Sequence, residues 1–231
     1  SLLVAAQAER KEPTDYLPFD PFTMAVYVFG FVLVLSVYSI FYEKKLSEQT
    51  KKIIFVAVAL PTVVATLYMA GTTVYLNLIS ESGGPVHWHA DYEVWVCGEH
   101  LINFEKPVFP SNKVGSPVFH HHDDFRMHIE GLVIDTVDVS LGEFFKVIGG
   151  DFTGESFTMV NEDLSKRIIT NGELCNGRPA KWRLYAKNWG TSQFEEKMEL
   201  EDYVIQPHFN VPPGDYLFLV FDSVEGVPSG S

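Results

Sequence analysis

The chain has 231 residues, room for one domain of ordinary size plus accessories, and its mean hydropathy of +0.06 is high for a soluble protein. Its formal net charge of −13 sets up a field that repels nucleic acid and concentrates cations, metal ions included. The charge is unevenly placed: residues 1–80 carry six basic and six acidic groups, and residues 81–231 carry eleven basic against twenty-four acidic.

Residues 1–8, Ser-Leu-Leu-Val-Ala-Ala-Gln-Ala, read as the end of a secretory signal peptide or as an apolar segment lying against the membrane or a neighbouring subunit. A prepilin-type N-terminus is a third option. Tyr16 to Pro21, with Pro18, is an extended approach to the membrane. Phe22 to Tyr42 and Ile53 to Ile79 contain no charged residue, and each is long enough to cross a hydrocarbon core, which needs about 20 apolar residues. Pro61 can kink the second span, and Ala65, Ala70 and Gly71 suit close packing on another helix. Neither span has an ionisable side chain to build an ion path, so the pair reads as an anchor or assembly surface through which the chain joins a homo- or hetero-oligomer.

The loop 43–52 holds Lys44, Lys45, Lys51 and Lys52, while the N-terminal flank has only Arg10 and Lys11. The positive-inside rule puts this loop in the cytoplasm and both termini outside. The expected organisation is therefore a multi-pass protein of the cell membrane: an extracytoplasmic segment 1–21, a two-helix hairpin 22–80, and an extracytoplasmic domain 81–231. In that last domain Cys97 and Cys175 are candidates for a disulfide, as suits an oxidising compartment.

After the linker Ser82-Gly83-Gly84-Pro85 the pattern is mostly strands with Gly, Pro and Asn turns. One helix interrupts it at residues 139–150, where Ser140 and Glu143 form a capping-box pattern and Gly149-Gly150 ends the run. Later strands are expected at Lys181–Lys187 and Tyr216–Asp222, the latter entered by the turn Pro212-Pro213-Gly214-Asp215. The fold class is α+β: two N-terminal transmembrane helices, then a β-rich domain with one main helix packed on a sheet.

Six of the eight histidines, with five carboxylates, lie in His87-Trp88-His89-Ala90-Asp91-Tyr92-Glu93 and in the run from His120 to Glu130. Strand alternation puts His87, His89, Asp91, Glu93, Trp95 and Cys97 on one face and Trp88, Ala90, Tyr92, Val94 and Val96 on the other. In the second run His120, His122, Asp124, Arg126, His128 and Glu130 share a phase unless Asp123-Asp124-Phe125 is a turn. The candidate metal ligands are His87, His89, His120, His122 and His128, all within reach of one ion. Asp91, Glu93, Asp124 and Glu130 are available to hold the far side of each imidazole. His100, His121 and His208 read as surface residues or partners of carboxylates.

Imidazole ligands suit zinc, copper, iron and nickel rather than calcium or magnesium. A blue-copper site needs a Met placed after Cys97 and His100, and none is there. The run Gly83…His87-x-His89-x3-Glu93 resembles the first metal motif of cupins, but the second, a His after Pro-x-Gly, is missing near Pro212-Pro213-Gly214. No Ser-His-Asp arrangement, phosphate loop or dinucleotide fingerprint appears.

At these residues the chain resembles a group of uncharacterised prokaryotic membrane-anchored proteins. They share an H-W-H-A-D-[FY]-E stretch, an H-x-H-[DN]-D…H-[IV]-E stretch and an L-G-x-F-F helix, here His87–Glu93, His120–Glu130 and Leu141–Phe145. The resemblance covers roughly residues 83–222 and implies no particular activity. The order of strands around the helix is also similar to β-grasp domains, with a β-sandwich or cupin-like domain as the alternative. The expected function is binding of a transition metal, copper or zinc, for capture, delivery or sensing, or as a metal-bearing subunit of a membrane assembly. A structural subunit of a surface array or filament, and a metalloenzyme with an open His-rich site, are the alternatives.

Overall fold

The computed structural model describes residues 13–102, 104, 106–107, 111–188, 190–205 and 214–227. The candidate leader at 1–8, the turn residues Pro212 and Pro213, and His208 lie outside them. The chain divides into two compact units, Ser1–Ile79 and Ser80–Ser231.

In the first unit, helix α1 (Pro21–Tyr42) starts where Asp20 caps it, its carboxylate accepting the amide of Thr23 at 2.8 Å, with Pro21 at the first helical position. A 3-10 turn, Glu43–Lys45, closes it. Helix α2 (Glu48–Ile79) begins five residues before the apolar run does. The cause is a cap: Ser47 Oγ accepts the Thr50 amide at 3.1 Å, and Glu48 pairs with Lys51 at 2.8 Å inside the first turn. Lys51 and Lys52 thus belong to the helix and not to a loop running to residue 52. Within the unit the Tyr68 hydroxyl donates to the Phe19 carbonyl at 2.7 Å and accepts the Phe19 amide at 3.2 Å. Both helices are long and apolar enough to cross a membrane. Their apolar side chains are largely uncovered, Phe22, Phe41, Ile53 and Leu67 among them.

The second unit is α+β. Its elements in order are β1 (Pro85–Val96), β2 (Glu99–His100), β3 (Val114–Gly115), β4 (Phe119–His121), β5 (Arg126–Leu132), α3 (Leu141–Val147), β6 (Asp151–Phe152), β7 (Ser156–Val160), β8 (Lys166–Thr170), β9 (Leu174–Cys175), β10 (Arg178–Pro179), β11 (Lys181–Lys187), β12 (Glu195–Lys197) and β13 (Asp215–Asp222). The principal sheet runs β12-β11-β13-β1-β5-β4-β3, with β2 also on β1. Strands β1 and β13 are parallel, with Ala90 opposite Asp215, and β5 is antiparallel to β1, with His89 opposite His128. A three-stranded sheet, β6-β7-β8, and the hairpin β9-β10 complete the described elements.

The apolar phase of each strand makes the core. Trp88, Ala90, Tyr92 and Val94 of β1, Met127 and Ile129 of β5, Leu217 and Leu219 of β13 and Leu184 of β11 are buried together. Phe144 and Phe145 of α3 and Phe157 of β7 pack into that cluster. Truncating one such phenylalanine to alanine costs about 3–5 kcal/mol. Ser140 caps α3 by accepting the Glu143 amide at 3.3 Å, but the reciprocal half of the expected capping box is not made. The Ser140 amide bonds to the Val137 carbonyl instead, and the Glu143 carboxylate takes Lys146. Cys97, just past β1, and Cys175 of β9 form a disulfide.

Candidate metal centre

The side-chain alternation of β1 puts His87 and His89 on the face opposite Trp88, Ala90, Tyr92, Val94 and Val96, all of which are buried, although His89 is itself buried on its own face. On β5 the register sets Glu130 opposite His87, His128 opposite His89 and Arg126 opposite Asp91. On β4, His120 lies opposite His128. The chain between β4 and β5 does turn, with Asp123 and Phe125 at positive φ (66° and 52°), yet it returns in phase. His128 therefore stands on the same face as His120.

His87, His89 and His128 offer ligand atoms that all lie within 4.8 Å of one another, a group that can hold a metal ion. Ligands on a common zinc at about 2.0–2.1 Å stand closer together than this, so modest side-chain rotation closes the set. His87 is exposed, His89 buried and His128 intermediate, so the group lies at the edge of the solvent. The ring of His128 is also 4.7 Å from His122, and His120 is 4.9 Å from His122 between centroids. All five candidate imidazoles are thus brought to one patch.

The tautomers follow from the partners. His128 Nε2 is 3.0 Å from Asp124 Oδ2, so that nitrogen carries the proton and donates to the carboxylate, leaving Nδ1 with a lone pair. His122 Nδ1 is 2.5 Å from the Asn112 carbonyl, which can only accept, so Nε2 is its free ligand atom. The buried Nδ1 atoms of His89, His120 and His128 have no hydrogen-bond partner among the described residues. Burial, reinforced by His128, His87 and Arg126, lowers His89 to a pKa of about 4 against the pull of Asp91. Burial and then Lys113 lower His120 to about 4, opposed by Glu130. Both rings are neutral at pH 7, the state a metal requires.

The four carboxylates expected behind the imidazoles divide. Asp124 holds His128. Glu130 reaches His87 Nε2 at 3.3 Å and His120 Nε2 at 3.9 Å. Asp91 is instead clasped by Arg126, through Nε at 2.5 Å and Nη2 at 3.0 Å. Glu93 accepts from Trp95 Nε1 at 2.7 Å and from the Tyr216 hydroxyl. Its nearest histidine is His100, at 3.9 Å, stacked on Trp95. Burial and then Glu93 push the Tyr216 hydroxyl above its usual range.

His121 is not a surface residue: it is 1 % exposed, on the core side of β4 beside Phe144. Its Nδ1 accepts the Asp123 amide at 3.2 Å, and burial lowers its pKa. The disulfide removes Cys97 from any thiolate ligand set. Sequence reasoning missed Asn112, which acts through its backbone carbonyl and so leaves no side-chain signal. It also missed the Tyr216 contact to Glu93, made by a strand 123 residues away. No protein-family model, curated protein or solved structure matches this chain.

Proposed function

We propose that this is a membrane-anchored metal-binding protein that takes copper or zinc on the histidine patch. The observation that carries the reading is the trio His87, His89 and His128 together with the buried, unpartnered nitrogens that line it. An imidazole whose far nitrogen is pinned by a carboxylate, as Asp124 pins His128, is the usual arrangement of a ligating histidine. The bare apolar surface of α1 and α2 supports seating in a bilayer. The lysines 44, 45, 51 and 52 at one end of the hairpin support a cytoplasmic loop and an extracytoplasmic metal domain. The role is capture or delivery of the ion, or service as the metal-bearing subunit of a membrane assembly. The antiparallel pairing of β1 with β5, α3 and the parallel return of β13 beside β1 support a β-grasp-like domain.

A metalloenzyme is the second reading. It is favoured by one observation: three protein ligands with His87 exposed leave a coordination position open to solvent or substrate.

The test uses the full chain in mild detergent. Purified material should carry copper or zinc by elemental analysis. Stripped material at a hundredfold metal excess over Kd should gain about 2.7 kcal/mol, roughly 5–11 °C for a domain of this size. His89→Gln with His128→Gln should lose both effects. A chain free of metal, with no gain on adding Cu(II) or Zn(II), ends this reading.

A further inference from the structure

The five imidazoles do not surround one point. His87 contacts His89 at 4.5 Å and His89 contacts His128 at 4.7 Å. On the other side His122 contacts His128 and His120, and His120 stacks on His128 at 5.6 Å. His128 is the ring the two groups share. The register explains the division: His89, His128 and His120 form one row across β1, β5 and β4. At about 4.8 Å per strand, the β1 and β4 backbones stand roughly 10 Å apart with β5 between them.

We propose that the patch holds two cations side by side, one at His87, His89 and His128 and a second at His120 and His122, with Glu130 as the carboxylate between them. The proposal rests on the metal-binding reading above and adds to it the number of ions and a ligand set for each. Glu130 is placed for this role, since its Oε1 faces His87 and its Oε2 faces His120. By facing the Nε2 of one imidazole from each set, Glu130 places a negative charge beside both positions, which offsets the repulsion of two like charges held close. His120 is an independent pointer to the second position. It is 1 % exposed, and its buried Nδ1 lacks a hydrogen-bond partner although the first group of ligands is complete without it. The pairing of His122 Nδ1 with the Asn112 carbonyl presents the opposite nitrogen, Nε2, as the second ligand atom. The arrangement joins two equivalents of a borderline or soft divalent ion, Cu(II) or Zn(II), at one solvent-edged patch.

Stoichiometry decides it. The full chain in detergent, stripped and titrated with Zn(II) or Cu(II), should bind two ions. His120→Gln with His122→Gln should bind one, with the remaining affinity within about threefold of the tighter wild-type step. At two equivalents of Cu(II) the wild-type chain should show a spin-coupled resonance signal in place of two isolated ones, a readout that needs no variant to fold. One ion per chain in the wild type, two ions in the double variant, or uncoupled copper at two equivalents overturns the two-ion proposal and leaves metal binding standing. No bound ion at all removes both.

Discussion

The hydrogen bond from His128 to Asp124 makes a demanding prediction. In Asp124→Asn the side chain can still accept the amides of His122 and Arg126 through one oxygen, as Asp124 Oδ1 does at 3.3 Å to each. The turn between β4 and β5 is therefore preserved. The atom facing His128 Nε2, however, changes from an acceptor to an amide donor. His128 must then offer Nε2 as acceptor and move its proton to Nδ1, the buried atom that otherwise carries the lone pair. Losing such an orienting carboxylate typically costs 10–100-fold in metal affinity, about 1.4–2.7 kcal/mol. Competition titration of Zn(II) against a chelator should show that drop. Glu93→Gln serves as control: it removes a carboxylate from the same strand face, but one engaged by Trp95 and Tyr216, and should stay within about twofold. An Asp124→Asn chain that binds like wild type, or a Glu93→Gln chain that weakens equally, would refute the assigned tautomer and its role.

Three further outcomes are expected. Reducing Cys97–Cys175, a bridge spanning 78 residues, should cost the second unit about 2–5 kcal/mol, read as a lower denaturant midpoint with dithiothreitol and matched by the double serine variant. In metal-free protein, His89 and His120 titrate near 4 when folded and near 6.5 when unfolded. The unfolded chain therefore takes up protons first as pH falls, and stability should decline from about pH 6.5 to pH 4, by up to about 1.4 kcal/mol per pH unit for each group. Melting curves across that range should flatten in His120→Gln. Gly214→Ala would drive a Cβ into the His89 carbonyl oxygen. It should cost about 1–3 kcal/mol and weaken metal uptake together with stability, whereas a loss of stability with unchanged uptake would show that the start of β13 does not position His89.

The parts legible in the sequence are those written in local period or local chemistry. Polar and apolar residues alternating from His87 to Val94 announce β1 and its two faces, and the same phase identifies the five imidazoles. The start of α2 was harder to see because an apolar run marks where lipid would lie, not where the helix is capped. Ser47 and the Glu48–Lys51 pair set that end. Partners distant in sequence leave no periodic trace. The parallel pairing of β1 with β13 decides that Glu93 serves Tyr216, and the pairing of β1 with β5 decides that Asp91 serves Arg126. Both carboxylates looked equivalent to Asp124 and Glu130 until those registers were known. His121 was misjudged for a related reason. Three consecutive histidines suggest a polar surface, but on a strand the middle one must face the other way, and here that way is the core.

The energetics of the patch argue that its histidines are kept for a ligand and not for the sheet. Each buried polar atom left without a partner costs about 1–3 kcal/mol, and His89, His120 and His128 carry one apiece. Val, Thr or Ile would satisfy these strand positions without that penalty. A cation offsets it by taking the lone pairs that the protein leaves unmatched. His121 also buries an unpartnered nitrogen, Nε2, but its lone pair on Nδ1 is already engaged by the Asp123 amide, so Nε2 carries a proton that a cation cannot replace as a partner, and its ring packs beside Phe144. Its role is to pack, and His121→Gln should leave metal affinity unchanged while lowering stability. The histidines that define the site are thus those whose nitrogen lone pairs the fold itself does not use.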